Sequence, residues 1–440
     1  RENADNRLYG TLGHLKSLQD RRPHLQIAVA GCLAQKDQDE ILRRAPYVNV
    51  VFGTHNVGRS VDLLAENQVS GRSVLEILES PVDPEDAFAH ALPVDDANPH
   101  SAWVTIQVGC DNSCAYCIVP AVRGPEQSRP FGALVDEVAA LAKTGTFEVI
   151  LLGQNVNSYG RDLTTALRTT DAGAADTELV GPEWVAEDGR RPRALFADLL
   201  RAVGAIEGVD RVRFTSPHPK DLRDDVIAAM AETPAVCEHL HLPVQSGSDV
   251  VLRAMRRGYT AARYLDRLEA ARRSIDDLAV TTDIIVGFPG ETEDDFEATL
   301  ALAAEAAFDS AFTFIFSPRP GTQASELVDS FVPEEVIADR FARLKLVVDR
   351  SALLANERRV GGREEVVVEG ISRKDAAVLS GRTRQGKLAH FHPGEHRFVP
   401  GDRATIHITS AGAHHLSGEL VERGAPTRRR ASIPLAVSSS

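Results

Sequence analysis

At 440 residues, with 43% hydrophobic and 25% charged side chains, the chain is longer than one typical domain and ordinary in composition, which predicts two or three globular domains and excludes a fibrous or disordered protein. Its net charge of −14 argues against bulk nucleic-acid affinity, though not against a local basic surface, and no stretch is apolar enough to cross a bilayer. The five cysteines follow no secreted-type framework and suit a reducing cytoplasm, where thiolates stay free for metal.

The chain opens on Arg1-Glu2-Asn3-Ala4-Asp5, polar and without a methionine, and is expected to begin inside a domain. Residues 1–70 predict a helix end over 6–20, a buried parallel strand over 25–30, a helix over 37–44, a strand over 48–52 and a helix over 57–66. This is the alternation of an α/β domain, read as truncated because two strands make no stable open sheet; a partner strand is expected upstream. Cys32 follows the first strand, and is either a small buried residue or a group placed where α/β folds collect ligands. Residues 71–100, acidic and holding Pro81, Pro84, Pro93 and Pro99, read as a linker.

After Gly109 the chain sets Cys110, Cys114 and Cys117 at the spacing C-x3-C-x2-C. Three thiolates on one loop can ligate three irons of a cubane cluster and leave the fourth iron open to a substrate or cofactor. Zinc asks for four ligands, in C-x2-C pairs or with histidines, and neither stands beside this loop; bare thiols are the remaining alternative.

From 101 to 330, strand patterns at 103–108, 148–152, 211–214, 239–242, 280–286 and 312–316 alternate with helical ones. Six such units predict an α/β fold, one parallel sheet curled into a partial (β/α)6 barrel. The unusual residues all follow strands: the cysteine loop, Gly153-Gln154-Asn155, Ser216-Pro217-His218-Pro219, Gln245-Ser246-Gly247, Gly287-Phe288-Pro289-Gly290 and Ser317-Pro318-Arg319-Pro320-Gly321. In a parallel barrel these loops share the rim where active sites are built. Glycine turns let backbone approach a nucleotide-like ligand, with Gln154, Asn155, Gln245 and Ser246 as candidate polar contacts. Asp283 interrupts an apolar strand and is expected to be buried with a partner. Cys237 reads as structural, Arg123 and Arg319 as rim groups or surface charges, and the run 164–177, within the irregular stretch 159–191, as an exposed insertion.

Residues 331–362 predict a connecting helix with Val336, Phe341, Leu344 and Val348 along one side. Residues 363–424 hold four short strand patterns separated by glycines, the mark of a small β-barrel. From Arg363 to Arg430 twelve Lys or Arg stand against eight Asp or Glu, a local +4 that suits either an RNA backbone or a solvated surface. Arg373, Lys374, Arg382, Arg384 and Lys387 are the candidate phosphate contacts, and 425–440, with Arg428-Arg429-Arg430, is expected to be a disordered tail.

Gly109–Pro120, Val122–Pro130, Leu151–Val156, His241–Ser248, Asp283–Thr292 and Ser317–Thr322 together resemble the methylthiotransferase branch of the radical S-adenosylmethionine (SAM) enzymes, over nearly the whole chain. Cys110-Asp111-Asn112-Ser113-Cys114 with Ile118-Val119-Pro120 is most similar to its tRNA-modifying members, and Gly31-Cys32-Leu33-Ala34-Gln35 is similar to the family's N-terminal domain. The resemblance implies that Cys110, Cys114 and Cys117 hold a SAM-cleaving 4Fe–4S cluster, that Tyr116 packs beside the adenine, and that Gly153, Gln154, Asn155, Gln245, Ser246 and Asp283 line the cofactor site. It implies a second 4Fe–4S cluster with Cys32 as one of three ligands. The family's other two fall upstream of Arg1, so the chain as it stands is not expected to hold that cluster normally. It implies a TRAM-like RNA-binding domain at 363–424, an electron donor such as flavodoxin or ferredoxin, a monomer without membrane association, and a cytoplasmic location. The implied reaction adds a methylthio group to C2 of N6-isopentenyladenosine beside the tRNA anticodon, a base that must leave its stack to react. The alternatives are threonylcarbamoyl-adenosine in tRNA, an aspartate of a ribosomal protein, or a catalytically impaired RNA-binding fragment.

Overall fold

The computed structural model describes residues 2–79, 100–168, 177–187 and 191–424. The tail, most of the expected linker and part of the expected insertion lie outside the described residues. No helix among the described residues is long and apolar enough to cross a membrane.

Contacts divide the chain into two compact units, and not at the boundaries expected from sequence. One joins the N-terminal residues to Gln107–Gln127 and Ser317–Glu326, so the cysteine loop packs with the N-terminal domain. The other holds the remaining barrel, the connecting helix and the C-terminal strands.

In the first unit, β1 (Ala28–Ala30), β2 (Val50–Phe52) and β3 (Val74–Glu76) form a parallel sheet in chain order, with Ala28 beside Val50 and Val50 beside Val74. The third strand therefore lies downstream, inside the run read as linker; at three residues it is too short to show a period. The helix Glu2–Arg21 packs Leu12 against Ile27, Val29, Ile41 and Val51. Instead of one helix over 37–44 there are two, Cys32–Asp37 and Asp39–Arg44, broken at Gln38, whose φ is +46°.

In the second unit, β4 (Ser101–Thr105), β5 (Glu148–Leu152) and β6 (Arg211–Phe214) are parallel, as are β7 (His239–His241), β8 (Ala279–Val286) and β9 (Ser310–Ile315). Backbone bonds from Val212 N to Ala235 O (2.7 Å) and from Cys237 N to Val212 O (3.0 Å) join the two triplets. The six expected strands thus make one curled sheet whose helix-facing side buries Val104, Val149, Val212, Leu240 and Ile284. Helices Phe131–Lys143, Phe196–Gly204, Asp224–Glu232, Ala261–Ser274 and Glu293–Ala306 carry the matching apolar stripes. Where the expected insertion 164–177 is described, Thr165 and Ala166 are exposed and Thr164 is buried, while Tyr159, Val180 and Trp184 to either side lie in the core.

The helix Glu334–Glu357 leads to a closed barrel of β10 (Arg363–Ile371), β11 (Leu379–Arg382), β12 (Leu388–His392), β13 (Arg403–Gly412) and β14 (His415–Arg423), in the order β10-β11-β12-β14-β13. The fifth strand, Leu388–His392, is absent from the sequence expectation. This barrel is bound to the sheet beneath it. Arg211, 1% exposed, donates to Arg382 O at 3.1 Å and to Glu365 Oε1 at 2.8 Å. Arg384 pairs with Glu238 at 2.8 Å, and Lys387 Nζ reaches Asp309 Oδ1 at 2.7 Å and Asn356 Oδ1 at 2.8 Å.

Candidate active site

Gly109 fixes the start of the cysteine loop. Its φ is +76°, and a Cβ there would stand 1.9 Å from Pro125 O, so only glycine fits. Cys110 N then donates to Gly124 O at 3.2 Å and Cys117 N to Cys114 O at 3.0 Å, which pins both ends of the C-x3-C-x2-C run. Ala324 N donates to Ala115 O at 2.9 Å, so the Ser317–Glu326 segment braces the same loop. All three cysteines are outside any disulfide and partly exposed, and Tyr116, between the second and third, is half-buried. Asn112 Nδ2 lies 3.6 Å from Cys110 Sγ, while burial pushes the Cys110 thiol pKa up. Cys32 starts the helix Cys32–Asp37, also free and partly exposed, and Arg123 Nε donates to its sulfur at 3.1 Å. Arg123, read as a rim group or surface charge, is a partner of Cys32.

The second unit's rim is built from loops after parallel strands. Asn157 Nδ2 donates to His218 O at 3.0 Å and Asn155 Nδ2 to Asp221 Oδ2 at 2.9 Å, joining the second loop to the third. Gln245 N donates to Asp283 O and Ile285 N to Gln245 O, at 2.8 and 2.9 Å, joining the fourth to β8. Ser216 and Gln245 hold φ of +60° and +70°, a conformation that costs non-glycine residues on the order of 1–3 kcal/mol and collects at functional sites. Gly153 and Gln154 are half-buried, and Gln154 Oε1 is buried without a hydrogen-bond partner among the described residues. Such an atom suits a donor on a bound molecule.

Four candidates change meaning. Ser246 is fully buried, with Oγ 3.1 Å from Thr299 Oγ1 and accepting from Ser248 N, so it builds the loop and presents nothing to a ligand. Asp283 is not buried: its side chain is 26% exposed, with His241 Nε2 at 3.4 Å. Arg384 and Lys387 are tied to Glu238 and Asp309, and Lys387 is 7% exposed, so neither is free for RNA phosphate. Arg382 is half-exposed but paired with Glu369 at 2.8 Å, whereas Arg373 and Lys374 project from an exposed turn. Sequence reasoning missed the His241–Asp283 pair and the exposed Phe312 and Phe314 beside it; the motif His241-Leu242-Pro243 was the available signal.

Residues 104–303 match the Radical SAM superfamily, and residues 1–53 match Uncharacterized protein family UPF0004. The tRNA-2-methylthio-N(6)-dimethylallyladenosine synthase of Nocardia farcinica is 49% identical over 435 residues, 98% of this chain and 81% of that protein. The chain belongs to the tRNA-2-methylthio-N(6)-dimethylallyladenosine synthase family. A member from Mycobacterium marinum is 49% identical over 98% of this chain and 81% of its own length. Among solved structures, the radical SAM methyltransferase TsrM from Kitasatospora setae, with tryptophan and a SAM analogue bound, is a distant likeness at 12% identity, covering 71% of this chain and 60% of that one with a TM-score of 0.47.

Synthases of this family are radical SAM enzymes, which use a 4Fe–4S cluster and SAM. The donor set here fits that cluster: three partly exposed cysteines outside any disulfide on one braced loop, and a corner left without a fourth cysteine. No three His, Cys, Asp or Glu side chains among the described residues converge as they would around a single metal ion.

Proposed function

We propose that this chain adds a methylthio group to C2 of N6-isopentenyladenosine beside the anticodon of tRNA. The observation that carries the reading is the braced C-x3-C-x2-C loop in a chain 49% identical, over 98% of its length, to a synthase named for that product.

Cys110, Cys114 and Cys117 would hold the 4Fe–4S cluster, which would supply the electron for radical chemistry on SAM. The chain's own groups do the positioning. Tyr116, within the cysteine loop, is the candidate group beside the cofactor; on the second unit the buried Gln154 oxygen is left to accept from a bound molecule, and the left-handed backbone at Ser216 and Gln245 shapes the third and fourth loops. Cys32, hydrogen-bonded by Arg123, is one of the three cysteines that would be needed to hold a second cluster. A small electron-transfer protein of the flavodoxin or ferredoxin class reduces a monomeric, cytoplasmic enzyme, and Arg373 and Lys374 contact tRNA phosphates.

The test is anaerobic turnover with SAM, reductant and either isopentenylated or threonylcarbamoylated tRNA. 5′-Deoxyadenosine and a methylthio mass increment on the isopentenylated nucleoside are expected. Increment only on the threonylcarbamoyl nucleoside, or no 5′-deoxyadenosine with either, would overturn the reading.

A further inference from the structure

A strand alternates its side chains between two faces. On the sheet half β7–β9, one face is closed by helices: Leu240, Thr282, Ile284 and Val286 are fully buried. The opposite face is open. It carries His241 on β7, Thr281, Asp283 and Ile285 on β8, and Phe312 and Phe314 on β9, with Asp283 beside Phe312 and Ile285 beside Phe314 in register. Phe312 is 60% exposed and Phe314 48%. His241 ties the group together, with Nε2 3.4 Å from Asp283 Oδ1 and its ring edge-on to Phe312 at a centroid distance of 6.1 Å.

Parallel sheets are ordinarily covered on both faces, because exposed apolar side chains forgo the gain from burial. Here two neighbouring phenylalanines on the uncovered face stay in water, next to a carboxylate and an imidazole. A ligand that suits this surface is flat enough to stack on aromatic rings, offers an N–H to Asp283, and carries a hydrocarbon group beside it. An adenine alkylated at N6 has all three features, since one atom bears both the N–H and the hydrocarbon. An anionic substituent such as threonylcarbamoyl would meet the Asp283 carboxylate and be repelled.

We propose that Phe312 and Phe314 are the specificity-determining residues that take the N6-hydrocarbon group of the substrate base, with Asp283, oriented by His241, accepting its N–H. This rests on the function proposed above and adds the residues by which an alkylated adenine is told from a plain one.

The test is equilibrium binding of two anticodon stem-loop RNAs, identical except for isopentenyladenosine or adenosine at the target position, to the anaerobically reconstituted protein without reductant. Wild type is expected to prefer the prenylated RNA by about tenfold or more, from burial of a few methyl and methylene groups. Phe312→Ala and Phe314→Ala should each bring the preference to within about threefold, with urea unfolding as cooperative as in wild type showing that the variants fold. Phe314→Leu, which keeps an apolar side chain, should retain most of the preference. Variants that keep the wild-type preference would overturn the assignment to these phenylalanines alone. A wild-type protein with no preference would overturn the functional reading, and this inference with it.

Discussion

Arg123 Nε stands 3.1 Å from Cys32 Sγ, a hydrogen bond across 91 residues of chain. Arg123 closes the short helix Val119–Arg123, which begins two residues after Cys117, and the preceding carbonyl, Val122 O, accepts from Thr54 Oγ1 at 2.7 Å. Two long-range bonds therefore fasten the segment after the cysteine loop to the N-terminal domain, one of them ending on the only cysteine of that domain in this chain.

Removing one of these bonds should loosen the loop locally. A hydrogen bond with a charged donor contributes roughly 1.5–3 kcal/mol, with a sulfur acceptor near the low end. For Arg123→Ala, amide hydrogen exchange over residues 110–124 is expected to speed up by roughly tenfold, the equivalent of about 1.4 kcal/mol. Exchange confined to wild-type rates would mean that the Thr54 bond alone holds the segment.

Two glycines with similar backbone make a sharper test of the loop. Gly109 (φ +76°) would put a Cβ 1.9 Å from Pro125 O, while Gly290 (φ +82°) would meet nothing within 4 Å. Both substitutions to alanine carry the cost of a left-handed backbone, about 1 kcal/mol, and only Gly109→Ala must also displace main chain. Iron and sulfide per chain after anaerobic reconstitution should collapse in Gly109→Ala, as in Cys110→Ala, and persist in Gly290→Ala. Equal iron in all of them would remove the cysteine loop from the account of the cluster.

What the sequence displayed and what it hid divide along one physical line. Alternation of apolar residues is a local signal, and all six barrel strands and the long helices were legible from it. Partners distant in the chain were not. Ser246 follows a strand like a ligand-binding residue, yet its hydroxyl meets Thr299, and Lys387 counts as a positive charge until Asp309 and Asn356 enclose it. The +4 at the C-terminal end included Arg428–Arg430, outside the described residues, and five of the nine remaining basic residues are paired with acids: Arg382, Arg384, Lys387, Arg403 and Arg423. Val74–Glu76 and Leu388–His392 are not read from the sequence, although a barrel strand as short as His239–His241 is.

The sorting of basic residues predicts two different phenotypes. Arg373→Ala and Lys374→Ala should leave thermal stability unchanged and each reduce the slope of log affinity for tRNA against log salt by roughly 0.7–0.9, one phosphate contact apiece. Lys387→Ala leaves Asp309, 15% exposed, without its ion-pair partner, and should lower stability by about 3 kcal/mol with no change in salt slope beyond that caused by unfolding. A reduced slope in folded Lys387→Ala would return that residue to the RNA surface.

His218 sets a pH dependence whose sign differs from that of a histidine in an ion pair. It is 7% exposed, its Nδ1 accepts from Lys220 N at 3.2 Å, and burial, with Arg257 and Lys220 nearby, lowers its pKa to about 2. Folded protein keeps the ring neutral, whereas the unfolded chain binds a proton once pH falls below about 6.5. The stabilisation is therefore present above that value and is lost on acidification, at about 1.4 kcal/mol per pH unit. Both tryptophans, Trp103 and Trp184, lie in the same unit as His218, so their fluorescence follows its unfolding. His218→Asn keeps an acceptor for Lys220 N and removes the titrating group. It should be less stable than wild type at pH 7.5, with the gap in urea unfolding free energy narrowing by about 1.4 kcal/mol at pH 5.5. His55, His100, His239 and His390, also held below their ordinary values, steepen the acid limb of both proteins alike and cancel in the difference. A gap that stays constant between the two pH values would mean that His218 takes up its proton in the folded protein, and hence that the third rim loop opens to water.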